Sequence, residues 1–388
     1  MSLLPYARQT IAEADVRALC AAARADYLTQ GPGVAAFEAA LARATGARFA
    51  VALNSGTAAL HAAYAAAGLG PGSALLTTAM TFAGTANAAL YLGASVRFAD
   101  VDPGTALLDP GALPDDPRVR VLAPVHLTGQ VAEMERLAAI ARRRNWVIVE
   151  DGCHALGAEY QTADGQWHAV GACHHSAMCC FSFHAVKHIT TGEGGAVTTN
   201  DESCYRAMLR FRTHGITRDS AELTCDEGPW YYEQQELGFN YRLTDLQCAL
   251  GQSQLKRLGA FVERRRALAA RYDAALAARP EVRPLAVPAG SRGSYHLYVV
   301  RVPAQLRRLL FEEMRNLGIG VNVHYLPVYR HPYYQRHGFA DVHLPQAEQY
   351  YAEAITLPLF PAMADSDVDR VAQSLAMAFE RVTAAAGA

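Results

Sequence analysis

The middle of the chain alternates short apolar runs with helical patterns. RFAVAL (48–53) reads as a strand, followed by a turn and an alanine-rich helix to about Ala67. Ser73–Thr77, Ser95–Ala99 and Arg120–Val125 read as three more strands. A helix over Glu133–Arg144 leads to a fifth strand, WVIVE (Trp146–Glu150), and Cys179–Phe183 and Ala196–Thr199 add two more. Strands separated by helices predict crossover connections, and therefore an α/β fold with a mainly parallel sheet flanked by helices. After Leu250 the pattern changes. Gln252–Ala277 predicts one long, arginine-rich helix, and a strand at Leu297–Val302, a helix at Ala304–Leu317 and an extended run at Val321–His324 predict a smaller α+β unit. The expected division is a large domain over residues 1–250, N-terminal segment included, and a small C-terminal domain over 251–388 with its connecting helix. The length of 388 residues suits such a division.

Composition narrows the class. Apolar residues make up 51% and charged residues 19%, as in a globular protein. The formal net charge of −2 gives no basic field to attract nucleic acid or an anionic membrane. The most apolar stretch, Ala79–Phe98, is interrupted by Thr81, Thr85, Asn87, Ser95 and Arg97, so no membrane span is expected. MSLLPYARQTIAEADV shows no basic start followed by an apolar run, and the eight cysteines have no regular spacing. Both point to the cytoplasm and to reduced thiols. Cys173-His174-His175 with Cys179-Cys180 invites zinc, but no paired C-x-x-C is present. Two consecutive strand cysteines would also face opposite ways, so no metal site is assigned and these read as core thiols.

In open α/β sheets, ligands gather at the carboxyl ends of strands. Three polar groups fall there. Asn54-Ser55-Gly56-Thr57 follows RFAVAL and opens a helix, which makes either an ordinary N-cap or a site where backbone N–H groups hold a phosphate, roles that can coexist. Glu150-Asp151-Gly152-Cys153-His154 follows WVIVE. A carboxylate there is a cap, a metal ligand or the counter-ion of a buried cation; against a ring cation about 3 Å away it is worth about 5 kcal/mol at an effective dielectric near 20. The third is Lys187, between the strand of FSFHAV and the glycine-rich turn TTGEGG. It is either a partly buried ion-pair lysine or an amine made nucleophilic by burial.

Ordered motifs run along nearly the whole chain: LTQGPGVAAFEAALA, NSGTAALHAA, MTFAGTANAALYLGASVRFADVD, EDGCHALGAEY, FSFHAVKHITTGEGGAVTTND, ELGFNYRLTDLQCALGQSQL and VNVHYLPVY. In these the chain resembles the DegT/DnrJ/EryC1/StrS sugar aminotransferases, which have the type I fold of pyridoxal-phosphate enzymes. The resemblance implies that Lys187 holds the cofactor as a Schiff base and serves as general acid and base, and that Asp151 pairs with the ring nitrogen. It implies that Gly56, Thr57 and Ser182 hold the phosphate, that Phe82 stacks on the ring, and that His154 lies near its hydroxyl side. Asn240 is expected to reach the phosphate of a neighbouring subunit in a homodimer with shared active sites. Tyr6, Leu28, Thr29, His184, His324, Tyr325, Leu326 and Pro327 are expected to line a nucleotide-sugar pocket. Arg242 reads either as a cation for the donor carboxylate or as the solvated start of a helix, and His324 and Tyr325 read equally as strand-end residues. Gly56 departs from the pattern where relatives carry a side chain.

FSFHAVKHITTGEGGAVTTND with RFRTHGI, and HYLPVYRHPYY, most resemble the members that transfer an amino group from L-glutamate to C4 of a UDP-linked 4-keto-6-deoxy-N-acetyl hexose in pseudaminic acid biosynthesis. Amination at C3, or of a dTDP- or GDP-sugar, is the alternative, and a noncatalytic binding protein the third reading. Relatives with histidine at the lysine position dehydrate sugars instead; Lys187, followed by His188, favours transamination.

Overall fold

The computed structural model describes residues 3–386. Its central sheet has seven strands: β1 (Phe49–Leu53), β2 (Ala74–Thr78), β3 (Ser95–Ala99), β4 (Val119–Ala123), β5 (Val147–Asp151) and, beyond the short antiparallel pair β6 (Glu159–Gln161) and β7 (Trp167–Ala169), β8 (Met178–Ser182) and β9 (Gly195–Thr199). Their order is β1-β9-β8-β5-β4-β2-β3. Pairing is parallel from β8 through β3, and β9 runs antiparallel to both its neighbours. These are the seven strands the apolar runs predict, shifted by at most two residues at an end. The runs were legible because both faces are covered. Ala50, Ala52, Cys179 and Phe181 enter one core layer, while Val51, Leu53, Val149 and Cys180 enter the other.

The helices that frame the sheet are α1 (Glu13–Ala23), α2 (Pro32–Thr45), α3 (Gly56–Ala66), α4 (Gly84–Leu90), α5 (Met134–Arg144), α6 (Glu202–Arg212), α7 (Asp245–Leu255) and α8 (Leu258–Leu276). Strand β1 is an edge, and an edge leaves backbone groups unpaired. Here Glu38 of α2 accepts the Ala52 N–H at 2.8 Å, and Arg212 of α6 donates to the Ala52 carbonyl at 2.7 Å and to Glu38. A half-buried ion pair thus closes the edge.

Two expectations are corrected. The stretch predicted as one helix over 252–277 is two helices, because Arg257 leaves helical geometry (φ −107°, ψ 2°) and pairs with the buried Asp15 of α1. The first, α7, starts upstream at Asp245, where Thr244 and Gln247 form a capping box. Val321–His324 is not a strand: only Asn322 bridges, to Thr356. The partner of Tyr298–Arg301 is instead Ala354–Leu357, with Arg283–Pro284 on the other side. This small sheet packs with α8 and the helix Asp365–Ala386 around a separate core that includes Leu268, Val300, Leu310 and Val371. The N-terminal segment runs beside it. The Leu4 N–H donates to Gly318 and the Leu359 N–H to Tyr6, which fixes Tyr6 near the end of the main sheet.

Replacing Glu38 with alanine strands a half-buried cation and a backbone N–H. The Glu38→Ala protein is expected to lose about 3 kcal/mol of stability in urea unfolding; a loss below about 0.5 kcal/mol would show that this closure of the edge is dispensable.

Candidate active site

The carboxyl ends of β1, β2, β5 and β8 open into one cavity of about 450 Å³. Gly56 and Thr57 reach it from the start of α3, Phe82 from the turn before α4, Asp151 and His154 from the end of β5, and Ser182 and Lys187 from the end of β8. His184, Tyr6, His324 and Tyr325 complete the predicted residues that line it. The amine and the carboxylate therefore share one pocket.

At the start of α3, Ser55 caps the helix by accepting the Ala58 N–H at 3.0 Å, which leaves the first-turn N–H groups of Gly56 and Thr57 without intrahelical acceptors. The helix start lies close against β8. A Cβ on Gly56 would stand 2.9 Å from Ser182 Cβ and 3.4 Å from Cys153 Sγ. The missing side chain at 56 is therefore a packing requirement here, and it brings backbone and Ser182 hydroxyl to one cradle suited to a phosphate.

Asp151 is buried, and both its oxygens are held. Thr85 Oγ donates to Oδ2 at 2.6 Å and the Cys153 N–H to Oδ1 at 3.1 Å. Thr85 in turn bonds Thr81 at 2.7 Å. These donors fix the direction of the carboxylate.

Lys187 keeps some surface open to the cavity, while its amine is enclosed by protein. Burial lowers its pKa from the usual 10.5 to about 8, Cys153 and Asp151 pull it up, and the Arg265 guanidinium pushes it down. The amine bonds His296 Nε2 at 3.3 Å. His154 donates to or accepts from the Tyr325 hydroxyl at 3.2 Å, and burial, followed by the charge of Lys187, drives its pKa well below the ordinary histidine value. His324 is lowered to about 4 by the same two causes. Phe82, with its ring 64% exposed at the mouth, faces the Tyr325 ring at 6.3 Å.

Other predicted residues lie elsewhere. Thr29 bridges Thr244, and the Leu28 carbonyl accepts from Asp245. Arg242 lines a different, open cleft with Glu38, Arg212 and Gln30. Asn240 bridges Thr213 and is exposed. Leu326 and Pro327 follow Tyr325 without lining the cavity. His174 stacks on His168 at 3.8 Å and meets His175 edge-on, at a distance from the pocket in sequence and lining. Cys179 and Cys180 enter opposite core layers, and Cys173 is buried against Thr198. Thr85, Cys153 and His296 were missed. Thr85 stands three residues after Phe82, and Cys153 lies between Asp151 and His154, and that spacing was the available signal; His296 lies at the start of an ordinary-looking strand in the other half of the chain.

The phosphate cradle, the oriented carboxylate and the amine of lowered pKa are the donor set that pyridoxal phosphate requires. The model of the DegT/DnrJ/EryC1/StrS aminotransferase family matches residues 9–376. The chain belongs to this family. The spore coat polysaccharide biosynthesis protein SpsC of Bacillus subtilis (strain 168) is 36% identical over 380 residues, 96% of each chain. Among solved structures, Helicobacter pylori PseC, an aminotransferase involved in the biosynthesis of pseudoaminic acid, superposes with a TM-score of 0.90 at 30% identity, covering 98% of this chain and 100% of PseC. Spr1654 of Streptococcus pneumoniae in its PMP form gives 0.91 at 28% identity over the full length of both chains, and its PLP form is also similar. The α/β fold of these aminotransferases is thus the fold of this chain, a sugar aminotransferase of a family that works with pyridoxal phosphate. Among the described residues no helix is long and apolar enough to cross a membrane.

The chain has only two lysines, Lys187 and the exposed Lys256. Competitive labelling of the cofactor-free protein with acetic anhydride should titrate Lys187 with a midpoint near pH 8, because the neutral amine is the reactive form. A midpoint at the ordinary lysine value of 10.5 would contradict the desolvation of Lys187.

Proposed function

We propose that this protein uses pyridoxal phosphate to transfer the amino group of L-glutamate to C4 of a UDP-linked 4-keto-6-deoxy-N-acetyl hexose, forming UDP-4-amino-4,6-dideoxy-N-acetyl-β-L-altrosamine of the pseudaminic acid pathway. The observation that carries the chemistry is the enclosed Lys187 amine in one cavity with the doubly bonded Asp151 carboxylate. The motifs FSFHAVKHITTGEGGAVTTND and HYLPVYRHPYY, with the likeness to PseC, support the choice of sugar.

Pyridoxal phosphate, when bound, supplies an aldehyde and an electron-withdrawing ring through which nitrogen passes between two carbonyl skeletons. Gly56, Thr57 and Ser182 would hold its phosphate, Asp151 its ring nitrogen, Phe82 one of its faces and Lys187 its aldehyde, with His154 near its hydroxyl side. Lys187 Nζ, a base near pH 8 when free, is placed to take a proton from the donor's Cα and to return one to product. His154, His296 and His324 are kept uncharged around it, so they add no cation against that of Lys187. Tyr6, His184, His324 and Tyr325 would meet the sugar at the mouth, with Leu326 and Pro327 behind them.

Asn240, Arg242, Leu28 and Thr29 serve the site only in a homodimer, where one copy's residues face the other copy's pocket. Leu28, Tyr27 and Leu237, which are 50, 59 and 81% exposed, supply apolar surface for such an interface. The eight unpaired cysteines suit the reducing cytoplasm. Identity to SpsC exceeds that to PseC, and this favours, as second reading, amination of a different nucleotide sugar or at C3.

Lys187→Ala is expected to lower turnover at least about 10⁴-fold with the fold retained; near-normal turnover would remove the proposal. Thr85→Val should weaken cofactor binding about tenfold in equilibrium titration, through the freed Asp151 oxygen, with thermal stability little changed; unchanged affinity would show that Thr85 does not orient the carboxylate. Incubation with glutamate and 4-keto or 3-keto UDP-sugars, with products identified by NMR, should give the 4-amino UDP-sugar. A 3-amino product, or turnover only with a dTDP- or GDP-sugar, would favour the second reading.

A further inference from the structure

Among the described residues, the hydrogen bond of the Lys187 amine goes to His296 Nε2, at 3.3 Å. Residue 296 comes from the C-terminal half of the chain, and several elements converge to place it. The Ser294 N–H donates to Gly129 and the Leu297 N–H to Thr128, so the segment is pinned on both sides of His296 to the turn after β4. The Ser294 hydroxyl donates to the His154 carbonyl at 3.2 Å, and the His188 ring meets the Ser294 carbonyl at 3.1 Å. Arg265, buried in α8, donates to the carbonyls of Tyr295 and His296, each at 3.2 Å. Gly129 is required for this approach: at φ +95°, a Cβ there would stand 2.8 Å from the Tyr295 nitrogen and 2.9 Å from that of His296.

The ring itself is held less completely than the backbone. It packs on His154, with centroids 4.4 Å apart, and on His188 at 5.6 Å. Its Nδ1 is buried and has no hydrogen-bond partner in the protein. Lys187 therefore faces the one ring nitrogen that is engaged, and no second protein group fixes which nitrogen carries the proton. A charged amine can only donate to Nε2, with the ring proton on Nδ1; a neutral amine can donate to it or accept from it. One imidazole thus fits both states of the lysine. The charged and titratable groups around this pair are Asp151 and Cys153 from the end of β5, His154 next to them, His188 from the turn after β8, Arg265 from α8, and His324 from the C-terminal half. Burial, Lys187, His154, His188 and Arg265 all hold His296 far below the ordinary imidazole value, so it stays an uncharged partner across the working range.

We infer that His296 is a positioning residue for Lys187: its neutral imidazole holds the amine, through Nε2, aimed into the cavity whenever that amine is free. The inference rests on Lys187 being the reactive lysine, as proposed above. A hydrogen bond that accepts from the ammonium favours the charged form, so its loss lowers the amine's midpoint further.

The test uses His296→Phe, which removes the acceptor, and His296→Gln, whose amide reaches about as far as Nε2. In the cofactor-free proteins, the acetic anhydride midpoint of Lys187 should fall by about one pH unit in His296→Phe and return close to the wild-type value in His296→Gln. In the loaded enzymes, kcat should fall about 30-fold in His296→Phe with KM for glutamate within about twofold, and His296→Gln should recover most of the loss. An unshifted midpoint in His296→Phe, or a glutamine variant as impaired as the phenylalanine one, overturns the inference. If His296→Phe does not fold, His296→Asn replaces it: its shorter amide must show the loss while His296→Gln does not, and equal behaviour of the two is again contrary. Failure of the underlying reading looks different. It appears as a wild-type Lys187 midpoint at the ordinary lysine value of 10.5 or as turnover that survives Lys187→Ala, and it takes this inference with it.

Discussion

A primary amine held away from water resists its own charge, and that resistance is the constraint around which this structure is arranged. At Lys187 the lowering from 10.5 to about 8 corresponds to about 3 kcal/mol against the ammonium. The penalty is only partly offset by Asp151 and Cys153, and Arg265 adds to it. The surroundings are consistent with this balance. The neighbouring imidazoles are all held neutral by burial, so none competes with the lysine as a cation. The one buried carboxylate in the cavity is already bonded at both oxygens by Thr85 and Cys153. It directs its charge to a fixed place instead of collapsing onto the amine.

The rest of the fold supplies rigidity to these few groups. The parallel strands β5 and β8 deliver Asp151 and Ser182 at the same carboxyl end of the sheet, and the antiparallel β9 locks β8 against β1 so that α3 starts beside Ser182. Gly195 is needed at that junction, since a Cβ there would stand 2.4 Å from the Ser55 carbonyl. The C-terminal half contributes the far wall of the cavity through His296, His324 and Tyr325. The pocket consequently depends on both cores being intact, although Lys187 and Asp151 belong to one of them.

Much of this was legible in the chain. Strands buried on both faces are continuous apolar runs, so RFAVAL and WVIVE announced themselves, and their polar ends marked Gly56 and Asp151. Lys187 stood out because a lone lysine between a buried strand and a glycine-rich turn has few structural uses. What escaped depends on long-range partners. The break at Arg257 follows from a contact with Asp15, some 240 residues earlier, and no local pattern encodes it. Val321–His324 has strand-like residues but meets only Thr356 across the gap. His296 is an unremarkable histidine until the turn at Gly129 and the guanidinium of Arg265 bring it to the lysine. Asn240, expected to reach a neighbouring subunit, Leu28 and Thr29, expected to line the pocket, and Arg242, read as a donor cation or a helix start, all lie apart from the cavity of the single chain.

The account stands on Lys187 being the amine that meets the cofactor's aldehyde. Protein loaded with pyridoxal phosphate, reduced with borohydride, digested and mapped by mass spectrometry reads this directly, since Lys256 is the only other lysine. A pyridoxyl-phosphate mass increment on the peptide containing Lys187, and none on that containing Lys256, is the predicted result. An unmodified Lys187 peptide after reduction would contradict it.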